Sequence, residues 1–171
     1  MTDVDDYQLA DRMVAETGSV VLTGVQALVR GPLDQIRADR AAGRDTAALV
    51  TGYQGSPLGT VDMAYAQHRE LFEANDVRFI DGVNEELAAT MIWGSQQAVR
   101  SGNATHDGVL GLWFGKGPGL DRAGDAIRHA NLAGVDPTCG VLLAVGDDPA
   151  CKSSTAPSAS EASMADLAVP T

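Results

Sequence analysis

The chain has 171 residues, 44% hydrophobic and 20% charged, which suits one globular domain with a real core and excludes a disordered chain. Its net charge of −11 argues against nucleic acid and anionic membrane surfaces, since both need clustered Lys and Arg. No segment nears the roughly 20 apolar residues of a bilayer span.

Residues 1–22 read as an N-terminal arm that closes on Val20-Val21-Leu22. Its acidic start at Asp3, Asp5 and Asp6 is unlike a secretory leader. Cys139 and Cys151 stand far apart without a CxxC pattern, and His68, His106 and His129 have no metal-ligand spacing. A reduced, cytoplasmic protein without a metal site of its own is expected.

From Thr23-Gly24 a helix is predicted, with Val25, Leu28, Val29, Leu33 and Ile36 at helical spacing, ending at Ala41-Ala42-Gly43. Gly31-Pro32 should kink or restart it. Thr46–Thr51 is a short apolar run without alternation, as in a strand covered on both faces. The glycine-rich turn Gly52-Tyr53-Gln54-Gly55-Ser56-Pro57-Leu58-Gly59 follows, then a helix over about Val61–Glu73 and a second strand at Val77–Ile80.

Asn84 is a good N-cap for the next helix, because its side chain can take up a free backbone N–H of the first turn. Leu87, Ala88, Met91, Ile92, Ser95, Ala98 and Val99 fall on one stripe of it. Glu85 and Glu86 open this helix; acids there ordinarily only complement the helix dipole, for up to about 1 kcal/mol.

Gly108–Phe114 is the third strand, leading to a second glycine-rich turn, Gly115-Lys116-Gly117-Pro118-Gly119, and a helix over about Leu120–Ala133. Cys139–Val145 is the fourth strand, followed by Gly146-Asp147-Asp148 and a Ser/Ala-rich stretch from Lys152 to Thr171. Alternating strands and helices predict an α/β fold, a mostly parallel sheet flanked by helices. Ligands of such sheets sit at the carboxyl ends of the strands, where these turns would gather.

Familiar motifs fail. A P-loop needs Gly where Leu110 stands and Ser or Thr where Gly117 stands. A dinucleotide fingerprint through Gly115 and Gly117 ends on Leu120 rather than Gly. No glycine flanks Ser56 as a nucleophile elbow requires.

The whole set nevertheless resembles one family. Thr23–Arg30, Gly52–Gly59, Val83–Thr90, Trp93–Gln97, Gly115–Arg122 and Gly146-Asp147-Asp148 with Lys152-Ser153-Ser154-Thr155 look like the N-terminal part of the fused indolepyruvate ferredoxin oxidoreductases, in the right order. These belong to the 2-oxoacid:ferredoxin oxidoreductase superfamily of thiamine diphosphate enzymes. The resemblance implies that residues 23–171 are a pyrimidine-binding domain of the thiamine-diphosphate-binding fold, incomplete at its C-terminus.

It also implies roles for residues. Glu85 would meet N1′ of the aminopyrimidine, stabilising the imino tautomer whose amino group takes the C2 proton. Ser56, between Gly55 and Pro57, would face the reacting centre, and Lys152 or Lys116 would meet the substrate carboxylate. The implied activity is oxidative decarboxylation of a 2-oxoacid, of aryl- or branched-chain-pyruvate type, to an acyl group on coenzyme A with electrons to ferredoxin. Mg2+ with the diphosphate, and the iron–sulfur clusters, are expected in other domains of a homodimeric full-length enzyme, so this chain alone should be inactive. No Gly-Asp-Gly followed by Asn, and no cluster-forming cysteine set, occurs here.

Ser158 and Ala162 stand where the family pattern has His, which bears on which oxoacid is taken and on whether activity is kept. Two other functions fit the same residues: a stand-alone flavodoxin-like nucleotide-binding module, and a catalytically silent dimerisation domain.

Overall fold

A computed structural model describes residues 8–9 and 11–167; Asp3, Asp5, Asp6 and the end of the Ser/Ala-rich stretch lie outside the described residues. The elements are α1 (Asp11–Val14), α2 (Gly24–Ala41), β1 (Thr46–Gly52), α3 (Val61–Gln67), α4 (Arg69–Glu73), β2 (Val77–Asp81), α5 (Glu85–Arg100), β3 (Gly108–Lys116), α6 (Gly117–Ala133), β4 (Gly140–Gly146) and α7 (Glu161–Asp166). All four strands pair parallel in the order β2-β1-β3-β4. No helix among the described residues is long and apolar enough to cross a membrane.

The central strands β1 and β3 send alternate side chains to two different cores, which explains their apolar runs without polar alternation. One face carries Ala48 and Val50 of β1 with Leu112 and Phe114 of β3, covered by Val29, Leu33 and Ile36 of α2, by Val61 and Tyr65 of α3 and by Phe72 of α4. The other face carries Leu49, Trp113, Leu143 and Val145, covered by Ala88, Ala89 and Ile92 of α5 and by Leu120, Ala123 and Ile127 of α6. Buried Tyr65 donates its hydroxyl proton to the Val29 carbonyl at 3.0 Å, and burial pushes its pKa well above the usual phenol value.

Three local expectations are corrected. The helix α2 continues through Gly31-Pro32 without restarting; Thr23 caps it in a reciprocal box with Gln26, and Pro32 is buried against the core. The helix expected over Val61–Glu73 divides at His68 into α3 and α4. The buried stripe of α5 is Ala88, Ala89, Ile92 and Gln96, and Leu87 is exposed. The stripe rotates because Gln96 can be buried, its amide donating to Ser95 Oγ and the Val109 carbonyl at 3.1 Å each.

The arm is more ordered than its composition suggests. Arg30 of α2, almost fully buried, donates to the carbonyls of Arg12 and Ala15 and pairs with Asp34 at 2.8 Å. These bonds strap α1 to α2 and press Met13 into the core. Charged donors on otherwise unpaired carbonyls are among the stronger hydrogen bonds.

Candidate active site at the carboxyl edge of the sheet

In the order β2-β1-β3-β4 the winding of successive strands switches sides between β1 and β3, and their carboxyl ends flank a crevice where α/β sheets bind ligands. The segment after β1 does lie there. A Cβ added to Gly55 would sit 3.4 Å from Lys116 Cβ at the end of β3, and one on Gly146 would sit 2.7 Å from Pro57 Cδ. So Gly55, Pro57 and Lys116 converge with the end of β4. Ser56 is exposed on this edge, and its peptide bond to Pro57 is cis.

The segment after β3 differs from expectation. There is no loop at Gly115–Gly119: β3 runs to Lys116 and α6 begins at Gly117. Pro118 falls in the first turn, where its missing N–H costs nothing. Close approach explains the glycines, since a Cβ on Gly117 would meet Ser158 Cβ at 2.7 Å and one on Gly119 would meet Glu85 Cγ at 2.5 Å.

Glu85 is the first residue of α5. Asn84 caps that helix as expected, accepting from Leu87 N at 2.8 Å, and the Trp113 indole N–H donates to the Glu85 carbonyl at 3.0 Å. The Glu85 side chain is only 16% exposed, with Oε2 3.7 Å from Arg122 Nη1. Its carboxylate thus lies beside the first turn of α6 as well as its own helix start, where dipoles favour a negative charge.

The two lysines separate. The Lys116 ammonium donates to the Ser153 carbonyl at 3.0 Å and so is tied into the segment after β4. Lys152 is exposed, and its backbone N–H donates to Asp148 Oδ1 at 3.0 Å. That segment is built on two aspartates, Asp147 and Asp148, to which the sequence reading gave no role of their own. Asp148 Oδ2 accepts from Ser153 N at 2.7 Å and Ser153 Oγ at 3.0 Å; these bonds and the one from Lys152 hold its pKa below the usual carboxylate range. Asp147 accepts from Ser160 N at 2.8 Å and Ser160 Oγ at 2.7 Å; burial would raise its pKa, but bonds from Ser160 and Ser158 prevail and lower it. Their sequence signal was acids spaced from serines, as in Asx turns.

No hydrogen bond or ion pair joins Glu85 to Ser56, and no group of His, Cys, Asp or Glu among the described residues could hold a metal ion. A cavity of about 680 Å³ lies away from this edge, between α2 and β4. Arg122, which sequence reasoning did not single out, is the cation nearest Glu85, one turn after Gly119.

The molecule is therefore an α/β domain whose four-stranded parallel sheet gathers Gly55, Ser56, Pro57, Glu85, Lys116 and the segment after β4 at its carboxyl edge. Set against protein-family models, curated proteins and solved structures, the chain matches none of them.

Proposed function

We propose that this chain is the pyrimidine-binding part of a thiamine diphosphate-dependent 2-oxoacid:ferredoxin oxidoreductase of the indolepyruvate type. The observation that carries the reading is Glu85: a mostly buried carboxylate, fixed at a helix start on the sheet edge where ligands bind. In this reading the finer fold is the thiamine-diphosphate-binding fold.

The residues suit one end of the cofactor. Glu85 would hold N1′ of the aminopyrimidine, and Gly55, Ser56 and Pro57 would bound the space beside it. The diphosphate and Mg2+ would be held by another domain of the same enzyme, as the sequence resemblance implies. When bound, thiamine diphosphate supplies the carbon nucleophile that attacks the 2-oxo carbon. Glu85 would be held in place for such a hydrogen bond by the Trp113 indole on its carbonyl and by the Asn84 cap of its helix. Lys152 is free to meet a substrate carboxylate; Lys116 would first have to leave Ser153. Coenzyme A, ferredoxin, iron–sulfur clusters and a homodimeric whole are part of the proposal, carried by the sequence resemblance.

The test is 2-oxoacid oxidation with added thiamine diphosphate, coenzyme A and a viologen acceptor, by the assembly containing this domain. Glu85→Gln should lower kcat by about 100-fold or more; wild-type rates would refute the reading. The strand order also suits a flavodoxin-like nucleotide module, whose ligand occupies the same crevice. Calorimetry with flavin and adenine nucleotides separates the two, tight binding by this chain alone favouring the module. A silent dimerisation domain would instead tolerate changes at both Glu85 and Ser56.

A further inference from the structure

The Glu85 carboxylate is mostly buried, yet among the described residues no hydrogen bond reaches either of its oxygens. The Asn84 cap and the Trp113 indole hold its helix and its backbone carbonyl, not the carboxylate. Buried polar groups ordinarily find a hydrogen-bond partner, so a mostly buried carboxylate without one has room for a donor from outside. Neither oxygen is sealed from solvent, so such a donor can reach it.

What the carboxylate does have is a cation. Arg122 Nη1 lies 3.7 Å from Oε2, too far for a hydrogen bond but near enough to attract. Oε1 lies against Gly119, where an added Cβ would come within 2.9 Å of it. Gly119 and Arg122 are three residues apart in α6 and therefore share a helix face, the one that meets the start of α5. Ala88 and Ala89 of α5 pack with Leu120 and Ala123 of α6, which fixes that face relative to Glu85. The Arg122 side chain is 62% exposed, and exposed pairs contribute little to folding. Its effect should therefore fall on where the carboxylate points, not on stability.

Resting on the thiamine reading, we infer that Arg122 is the positioning residue of this site. Its cation draws Oε2 toward α6 and leaves Oε1 to accept from the N1′–H of the cofactor's imino tautomer. Arg122 itself touches neither the cofactor nor the oxoacid. It is the one cation paired with Glu85 among the described residues, so no other side chain supplies the same pull.

A double-mutant cycle on the assembly containing this domain tests it. Arg122→Gln should lower kcat by about 10-fold, as a slightly misplaced group does, which is less than the loss in Glu85→Gln. The circular-dichroism band of the bound imino tautomer should weaken in step, while unfolding by denaturant stays unchanged. Arg122→Lys should recover most of both signals, because a cation is restored. In the Glu85→Gln background Arg122→Gln should have no further effect, since one residue acts only through the other. Wild-type rate and band in Arg122→Gln, no recovery by Arg122→Lys, or an equal loss with and without Glu85 would overturn the inference. With Glu85→Gln inactive, each of those outcomes leaves the thiamine reading standing; wild-type rates in Glu85→Gln remove both.

Discussion

Glu85 has two physical explanations that act on the same atoms. Its carboxylate complements two helix N-termini and lies 3.7 Å from Arg122, which is sufficient reason to keep an acid there. It is also the residue proposed to meet the cofactor. Gly119 separates them. Replacing a helical glycine by alanine ordinarily stabilises by about 0.5–1 kcal/mol. Here the new Cβ would come 2.5 Å from Glu85 Cγ, and overpacking against a rigid neighbour costs about 1–3 kcal/mol. Because the atoms met belong to the flexible end of Glu85, the clash is relieved when that side chain swings away, so Gly119→Ala should turn the carboxylate outward at little cost in the free energy of unfolding measured with denaturant. If Glu85 only serves the helix dipoles, the effect ends there. If it holds the cofactor, Gly119→Ala should also cost the assembled enzyme most of the activity that Glu85→Gln removes.

The segment between β4 and α7 is held by Asp147 and Asp148, so it should respond to acid in a definite way. Backbone N–H groups of Ser153 and Lys152 lower the Asp148 pKa below the ordinary value of about 3.9. A lowered folded value means that the stabilisation is complete above the ordinary pKa and is lost as pH falls through the lowered one. The amide resonances of Lys152 and Ser153 should therefore stay in place through the normal aspartate range and move only below it. In Asp148→Asn they should start displaced and show no such step. A midpoint at or above the ordinary pKa would contradict the assignment. The strands themselves were legible in the sequence: burial on both faces demands an apolar run at Thr46–Thr51, observed as Thr46–Gly52, and Val77–Ile80 is observed as Val77–Asp81, with one face buried. The start of α6 was not. Gly115-Lys116-Gly117-Pro118-Gly119 has turn composition, yet its glycines serve close packing against Trp113, Ser158 and Glu85, which only tertiary structure reveals. The same holds for Leu87 and Gln96, whose burial was inverted by one side-chain hydrogen-bond pattern.

At the scale of the molecule, convergence on the carboxyl edge was legible from strand–turn order, but the unequal treatment of the two sheet edges was not. The sequence marks four strands without telling edge from centre, whereas only two of them are central. The edge strand β2 carries Arg78 and Asp81, with Arg78 3.6 Å from Glu73. The other edge, β4, has no charged residue from Gly140 to Gly146. Helices cover it on one face only. On the other, Leu142 is 53% exposed beside the cavity of about 680 Å³ under α2. An uncharged edge with a bare apolar face is the arrangement that proteins otherwise blunt with lysine, proline or a bulge. The net charge of −11 opposes association at long range, but salt screens it beyond about 10 Å, within which strand pairing acts. The isolated chain should therefore associate with rising concentration and more readily at higher salt, as read by sedimentation velocity. Leu142→Lys should suppress this while changing unfolding free energy by no more than about 0.5 kcal/mol, because the side chain is already largely in solvent. A wild-type chain that stays monomeric at every salt concentration would show that charge repulsion, not the open edge, governs its behaviour in solution.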